Sequence, residues 1–155
     1  MKTNRPPVLA LAAALAFGPG LAFAQTQSHD GHDAAVLELV LNDGAKWQGD
    51  QNMIDGMSAI RDSMATSLGP IRDGTLTADA ARGIAADIQT QVDFMIENCV
   101  LEPAVDEQFH SVLAQVTEGA AAVEDGEVQA GGTTIVQALN AYGAHFEHPG
   151  WQPLD

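Results

Sequence analysis

Hydrophobic side chains recur every three or four residues along most of the chain, which is the spacing of one face of an α-helix. After residue 50 the pattern predicts four helices, with stripes at Met53–Ile71, Ile84–Cys99, Val105–Val123 and Ile135–Phe146. No stretch shows the sustained alternation that is typical of a strand. Four amphipathic helices with short connections predict an all-α fold, an up-down-up-down four-helix bundle.

Polar and turn-forming residues mark where these helices begin and end. Asp50 and Thr77 are suited to cap the first and second helices, and Pro103 is suited to the first turn of the third. Gly74 and Gly126 predict the ends of the first and third helices, because glycine readily adopts the left-handed conformation that stops a helix.

The first 24 residues carry the three parts of a secretory signal peptide. Lys2 and Arg5 precede an apolar run that ends in the cleavage site Ala22-Phe23-Ala24. The pattern predicts cleavage near Gln25. Because the chain resembles exported bacterial proteins, we expect the mature protein in the periplasm.

The predicted mature chain has two parts. Residues 25–49 form a polar arm, and residues 50–155 form the bundle domain. Within the arm, a short extra helix is predicted over Ala34–Asn42, with Asn42-Asp43-Gly44 as its end. After the leader, no segment approaches the length of a transmembrane helix, so we expect no membrane partner after cleavage.

Composition narrows the function. The chain has 155 residues, and its 21 acidic and 6 basic side chains give a formal net charge of −15. This charge argues against nucleic acid as a partner, because phosphate binding needs clustered lysine and arginine. A single cysteine excludes an internal disulfide. With 46% hydrophobic and 17% charged residues, the chain is able to bury a core.

The topology gathers sulfur and imidazole side chains at one end of the bundle. The first and third helices begin, and the second and fourth end, at what we call the lower end. The predicted metal ligands there are Met53, Met57, Met95, Cys99, His110, His145 and His148, with Asp106 one turn before His110. Taken singly, each is also typical of ordinary core packing or of a helix terminus.

Thioether, thiolate and imidazole groups suit copper, particularly Cu(I), better than calcium or magnesium. Asp106 is expected to hold one ring nitrogen of His110 and leave the other free for the metal. His29 and His32 lie on the arm that enters at the same end. The sequence therefore favours a periplasmic copper-binding bundle, acting in storage, delivery or resistance.

An exported four-helix bundle of this size resembles the cytochrome c′ family. The last helix reads Ala141-Tyr142-Gly143-Ala144-His145, where that family attaches haem through C-x-x-C-H, and the first helix carries Met53 and Met57 on the other side. The resemblance implies His145 as an iron ligand, Met57 beside the haem, and a homodimer formed through the first helices. Alanine at both cysteine positions excludes covalent attachment. The alternative function is thus a haem-free or non-covalently haem-binding relative that binds or senses a small ligand.

The sequence also supports a second resemblance and a third function. The segment Asn98–Pro103, with Asp106, His110 and the ending His148–Trp151, resembles a group of small exported bacterial bundles that carries no activity to transfer. A third function is a helical interaction module without a ligand. We expect no enzyme, because the sequence has no nucleophile elbow, phosphate loop or dinucleotide fingerprint. Cys99 and His110 would need to lie within hydrogen-bond reach to form a catalytic thiol–imidazole pair, and Cys99 is expected to pack inward instead.

Overall fold

The predicted all-α four-helix bundle is confirmed by a computed structural model that describes residues 37–155. Its helices are α1 (Gln51–Arg72), α2 (Ala78–Asn98), α3 (Pro103–Glu124) and α4 (Val128–His145). Consecutive helices pack together, and α1 also packs against α4, which closes the ring. The predicted signal peptide lies outside the described residues, and so do His29 and His32 of the arm. No helix within 37–155 is long and apolar enough to cross a membrane.

The predicted helix caps are present and do more than end helices. One carboxylate oxygen of Asp50 accepts from the backbone N–H of Met53 at 2.8 Å, and the other accepts from Val100 N–H at 2.7 Å. Asp50 therefore starts α1 and also holds the connection between α2 and α3. Thr77 caps α2 through its side chain, and Gly74, with φ +64°, follows the end of α1.

The short helix predicted over Ala34–Asn42 is wrong in its described part, because residues 37–42 contain no helix. Asn42 and Ala45 instead exchange two backbone hydrogen bonds of 2.9 Å. Asp43 (φ +50°) and Gly44 (φ +88°) adopt left-handed conformations between them. The same residues that predicted a helix end thus form a tight turn, and a helix of about nine residues is only marginally stable alone.

The segment before α1 is bound to the lower end of the bundle. Trp47 N–H donates to the carbonyl of His145, and Glu147 N–H donates to the carbonyl of Trp47, both at 2.8 Å. The indole N–H of Trp47 donates to Val40 at 2.6 Å. These bonds hold the end of α4 against the segment that precedes α1.

The core is filled by the predicted stripes. Tyr142 and Phe146 stack at 5.1 Å between ring centroids, and Phe109 packs against both, so the lower half of the core is aromatic. The side chains with no more than 2% exposure include Met53, Met57, Ile60, Met64, Ile88, Val92, Met95, Phe109, Val112, Val116, Val123, Ile135, Leu139, Tyr142 and Phe146.

Glycines set how closely α4 approaches its two neighbours. A Cβ at Gly131 would lie 2.5 Å from the carbonyl oxygen of Gly119, so α3 and α4 meet backbone to backbone. On the other side, a Cβ at Gly132 would meet only the Ile71 side chain, at 2.8 Å. The seam between α3 and α4 is therefore closed by main chain, whereas the seam between α1 and α4 depends on side chains.

Candidate functional site

The lower half of the α1–α4 seam is covered by the C-terminal tail, residues 148–155. The chain turns at Gly150 (φ +81°) and runs back along α4. The Asn140 side chain holds the tail through two hydrogen bonds to the backbone of Leu154. Its amide N–H donates to the Leu154 carbonyl at 2.7 Å, and its oxygen accepts from the Leu154 N–H at 2.9 Å. Leu154 is buried by this arrangement.

His148 joins the tail to both helices of the seam. Its Nδ1 lies 2.9 Å from the Tyr142 hydroxyl on α4, and its Nε2 lies 3.1 Å from the Ser58 hydroxyl on α1. Burial and, after it, the nearby charge of Arg61 lower the pKa of His148, which favours the neutral ring. Both ring nitrogens are thus engaged in holding the tail.

Arg61 of α1 and Trp151 of the tail add further contacts between the tail and the two helices. Arg61 Nε donates to the Gln152 carbonyl at 2.5 Å, and its guanidinium lies 5.9 Å from the Trp151 ring centroid, a cation–π contact. The indole rests on Gly143, where a Cβ would clash with it. Its buried N–H finds no acceptor within the described part of the chain.

The upper half of the same seam is open. A groove of about 330 Å³ lies there between the end of α1 and the first half of α4. We call it the upper groove; its lining residues are Leu68, Ile71, Arg72, Gln129, Gly132, Thr133, Val136 and Gln137. Its volume falls at the lower end of the range of about 300–1,000 Å³ found for small-molecule sites.

Arg72 differs from the other cations between residues 37 and 155. Arg61 bonds to the tail, Arg82 pairs with Asp79, and Lys46 donates to the Gly143 carbonyl at 2.6 Å. The Arg72 guanidinium has no hydrogen bond or ion pair to any described residue. The backbone of Arg72, in contrast, is bonded to α4: its carbonyl oxygen accepts a hydrogen bond from the Gln129 side-chain amide at 3.0 Å.

The α4 wall of the upper groove is uncharged. In a chain with 21 acidic residues, the 18 residues of α4 include no Asp, Glu, Lys or Arg. The wall therefore offers only amide and hydroxyl groups beside apolar carbon, and Arg72 is the one charge in the groove lining. The sequence interpretation missed this site, and a charge-free helix in an acidic chain was the signal that could have indicated it.

The predicted methionine ligands lie in the lower half as expected, but inside the core. Met53 and Met57 are 0% exposed and Met95 is 1% exposed, so their sulfur atoms are enclosed in the core. A Cβ at Gly56 would lie 2.5 Å from the Met95 sulfur, which is therefore packed against the backbone of α1. These three methionines lie at stripe positions that point into the core, which shields their thioethers from water.

Cys99 is half-buried at the end of α2. Burial raises its pKa to about 12, and the charge and hydrogen bond of Asp50 and the more distant charge of Asp106 act in the same direction. The thiol is therefore held protonated, whereas metal binding requires the thiolate.

The histidines are distributed over different environments. The predicted contact of His110 with Asp106 is present, with Nδ1 and Oδ1 3.5 Å apart, and both side chains are exposed. His145 Nδ1 lies 2.8 Å from the carbonyl oxygen of Ala141, which only accepts, so Nδ1 carries the proton. Within residues 37–155, no three His, Cys, Asp or Glu side chains form a group able to hold a metal ion. A copper site that uses thioethers stays a prediction.

Comparison of the chain with protein-family models, curated proteins and solved structures found no match. The resemblance to cytochrome c′, and the roles it implies for His145 and Met57, stay predictions. The function is argued below from the geometry of the seam.

Proposed function

We propose that this protein is an exported binding protein that holds a small, elongated apolar molecule in the upper groove. The observation that carries the proposal is the contrast within one seam. The chain's own tail fills the lower half, and the upper half keeps an apolar concavity of about 330 Å³. The proposal shares a small ligand with the cytochrome c′-like alternative, but it places that ligand away from His145 and Met57.

The chemistry of the lining supports a ligand with a long apolar part. Leu68, Ile71 and Val136 supply apolar walls, and Gly132 keeps the floor low because no side chain rises from it. Burying such surface contributes about 25 cal/mol per Å² removed from water. The polar groups at the edge are few, which is typical of sites that fix the orientation of a mainly apolar ligand.

Copper binding, which the sequence favours, is less well supported by the geometry. The thioethers are enclosed in the core, the Cys99 thiol is held protonated, and both nitrogens of His148 are engaged. Copper binding would require these groups to be exposed, deprotonated or released first, whereas the upper groove is already open to a ligand. A small-molecule binder is therefore the function we put forward, with copper and haem as predictions to be tested beside it.

The test is a calorimetric titration of the mature protein with 1-decanol, an uncharged and elongated probe. Thr133→Trp places a large side chain in the groove, and Ala144→Trp places the same side chain at an exposed position lower on α4. We expect Thr133→Trp to abolish binding and Ala144→Trp to bind as the wild type does. No binding by the wild type, or equal binding by both variants, contradicts the proposal.

A further inference from the structure

We infer that the upper groove selects an anionic amphiphile, a molecule with one carboxylate that pairs with Arg72 and an apolar chain that lies between α1 and α4. The inference rests on the proposed function and adds to it the class of ligand and its orientation.

The first step is the unused guanidinium. Arg72 lines the groove, and its side chain has no partner among the described residues, unlike Lys46, Arg61 and Arg82. A guanidinium presents parallel N–H donors that match the two oxygens of a carboxylate. The groove thus has a carboxylate-binding group at its upper end and apolar walls below it.

The second step is the absence of a competing anion in the lining. The polar groups beside Arg72 are the neutral side chains of Gln129, Thr133 and Gln137. Asp73 and Glu127 flank the two helix ends, but no ion pair joins either to Arg72 within the described chain. The negative charge of the rest of the protein is screened beyond about 8 Å at physiological ionic strength. The exposed guanidinium of Arg72 is therefore available to pair with a ligand carboxylate.

The third step fixes the direction of the ligand. Along α4 the groove extends from Gln129 to Gln137, about 12 Å at 1.5 Å per residue. Its lower end lies one turn from Asn140, which is clamped to the tail at Leu154. An apolar chain with its carboxylate at Arg72 therefore runs down the seam toward the tail, which limits its length.

Arg72 also has a plain structural role to be separated from this one. A cation in the last turn of α1 stabilises the helix through its dipole. That role predicts a lower melting temperature for Arg72→Gln, without any change in the relative affinity for charged and uncharged ligands. The ratio of two affinities is therefore the informative quantity.

The experiment compares decanoate with 1-decanol by calorimetric titration at neutral pH, below micelle-forming concentrations. For the wild type we expect decanoate to bind up to about fivefold more tightly, because Arg72 is solvent-exposed and an exposed ion pair adds only a modest preference. Arg72→Gln should bring the ratio of the two affinities close to one, and Arg72→Lys should retain part of the preference. Arg82→Gln, which removes the same charge from α2, is the matched control and should behave as the wild type.

The outcomes separate the inference from the proposed function. If neither probe binds the wild type, the proposed function fails, and the inference fails with it. If both probes bind alike, or if the preference survives in Arg72→Gln, the groove binds ligands but the anion assignment is wrong. Should Arg72→Gln not fold, the folded Arg72→Lys variant replaces it, and a preference for decanoate as large as that of the wild type would overturn the bidentate pairing.

Discussion

The lower and upper halves of the α1–α4 seam are built from the same two helices, yet one is covered and the other is open. In the lower half, Ser58, Asn140 and Tyr142 reach out to hold the returning tail. In the upper half, the α4 residues that line the groove are uncharged, and the Arg72 side chain bonds to no described residue. The seam is therefore covered where side chains of α1 and α4 bond to the returning tail, and open where the tail does not reach.

A second comparison concerns the two seams of α4. Against α3 the helix is held by glycine backbone, which leaves no room for a ligand. Against α1 the contact is made by side chains, which can move. Of the two seams of α4, the one with α1 is therefore the one expected to bind a ligand, where the tail does not lie.

Removing the tail should have the largest effect on stability. Deletion of residues 148–155 exposes the Leu154 site and removes both Asn140 bonds, so we expect a loss of about 3 kcal/mol in unfolding free energy. Chemical denaturation measures it. The lower half should then resemble the upper, and tetradecanoate, too long for the intact groove, should bind the truncated protein more tightly. Unchanged stability would mean that the tail does not cover the seam.

The two adjacent glycines of α4 should respond unequally. Gly131→Ala forces a methyl group against the Gly119 carbonyl, and we expect it to cost about 2 kcal/mol. Gly132→Ala meets only Ile71, a side chain that can shift into the groove, and it should cost less and weaken 1-decanol binding. Urea denaturation of both variants tests this, and equal losses would contradict the asymmetry of the two seams.

The His148 contact should make the tail pH-dependent. Because the folded-state pKa lies below the unfolded value of 6.5, the unfolded chain binds the proton first as pH falls. The contribution is present above pH 6.5 and is lost as pH falls through the lower folded pKa. Melting temperatures of the wild type and His148→Gln should therefore converge between pH 7 and pH 5. A constant difference would show that His148 does not hold the tail in its neutral form.

The smallest expected effect concerns Cys99 and copper at the lower end. With its pKa raised to about 12, the thiol should react with iodoacetamide at pH 8 far more slowly than a free cysteine peptide does. Cu(I) under reducing conditions should then shift the melting temperature little. A shift of several degrees, lost in the double variant Cys99→Ser and His110→Ala, would instead support the copper prediction.

The fold could be read from the sequence because each local signal agreed with the others. The stripe from Val105 to Val123 is buried, and Asp50 and Thr77 cap as their positions indicate. The turn at Asp43-Gly44 was misread because left-handed residues end helices and also form tight turns.

The site could not be read in the same way. His148 pairs with Ser58, 90 positions away, and its spacing on the chain gives no sign of that contact. The upper groove depends on how far apart α1 and α4 stand and on where the tail stops. Both follow from packing at Gly132 and from the Asn140 clamp, not from periodicity.

The central claim is that ligands enter the upper half of the seam and not the lower half. Amide chemical shifts recorded by ¹H–¹⁵N NMR during a titration with decanoate test it directly. We predict shifts at residues 68–72 and 129–137, with the Arg72 side chain among the largest, and little change at residues 140–143 and 148–155. Shifts centred on the aromatic lower end, or no saturable shifts, would contradict the account.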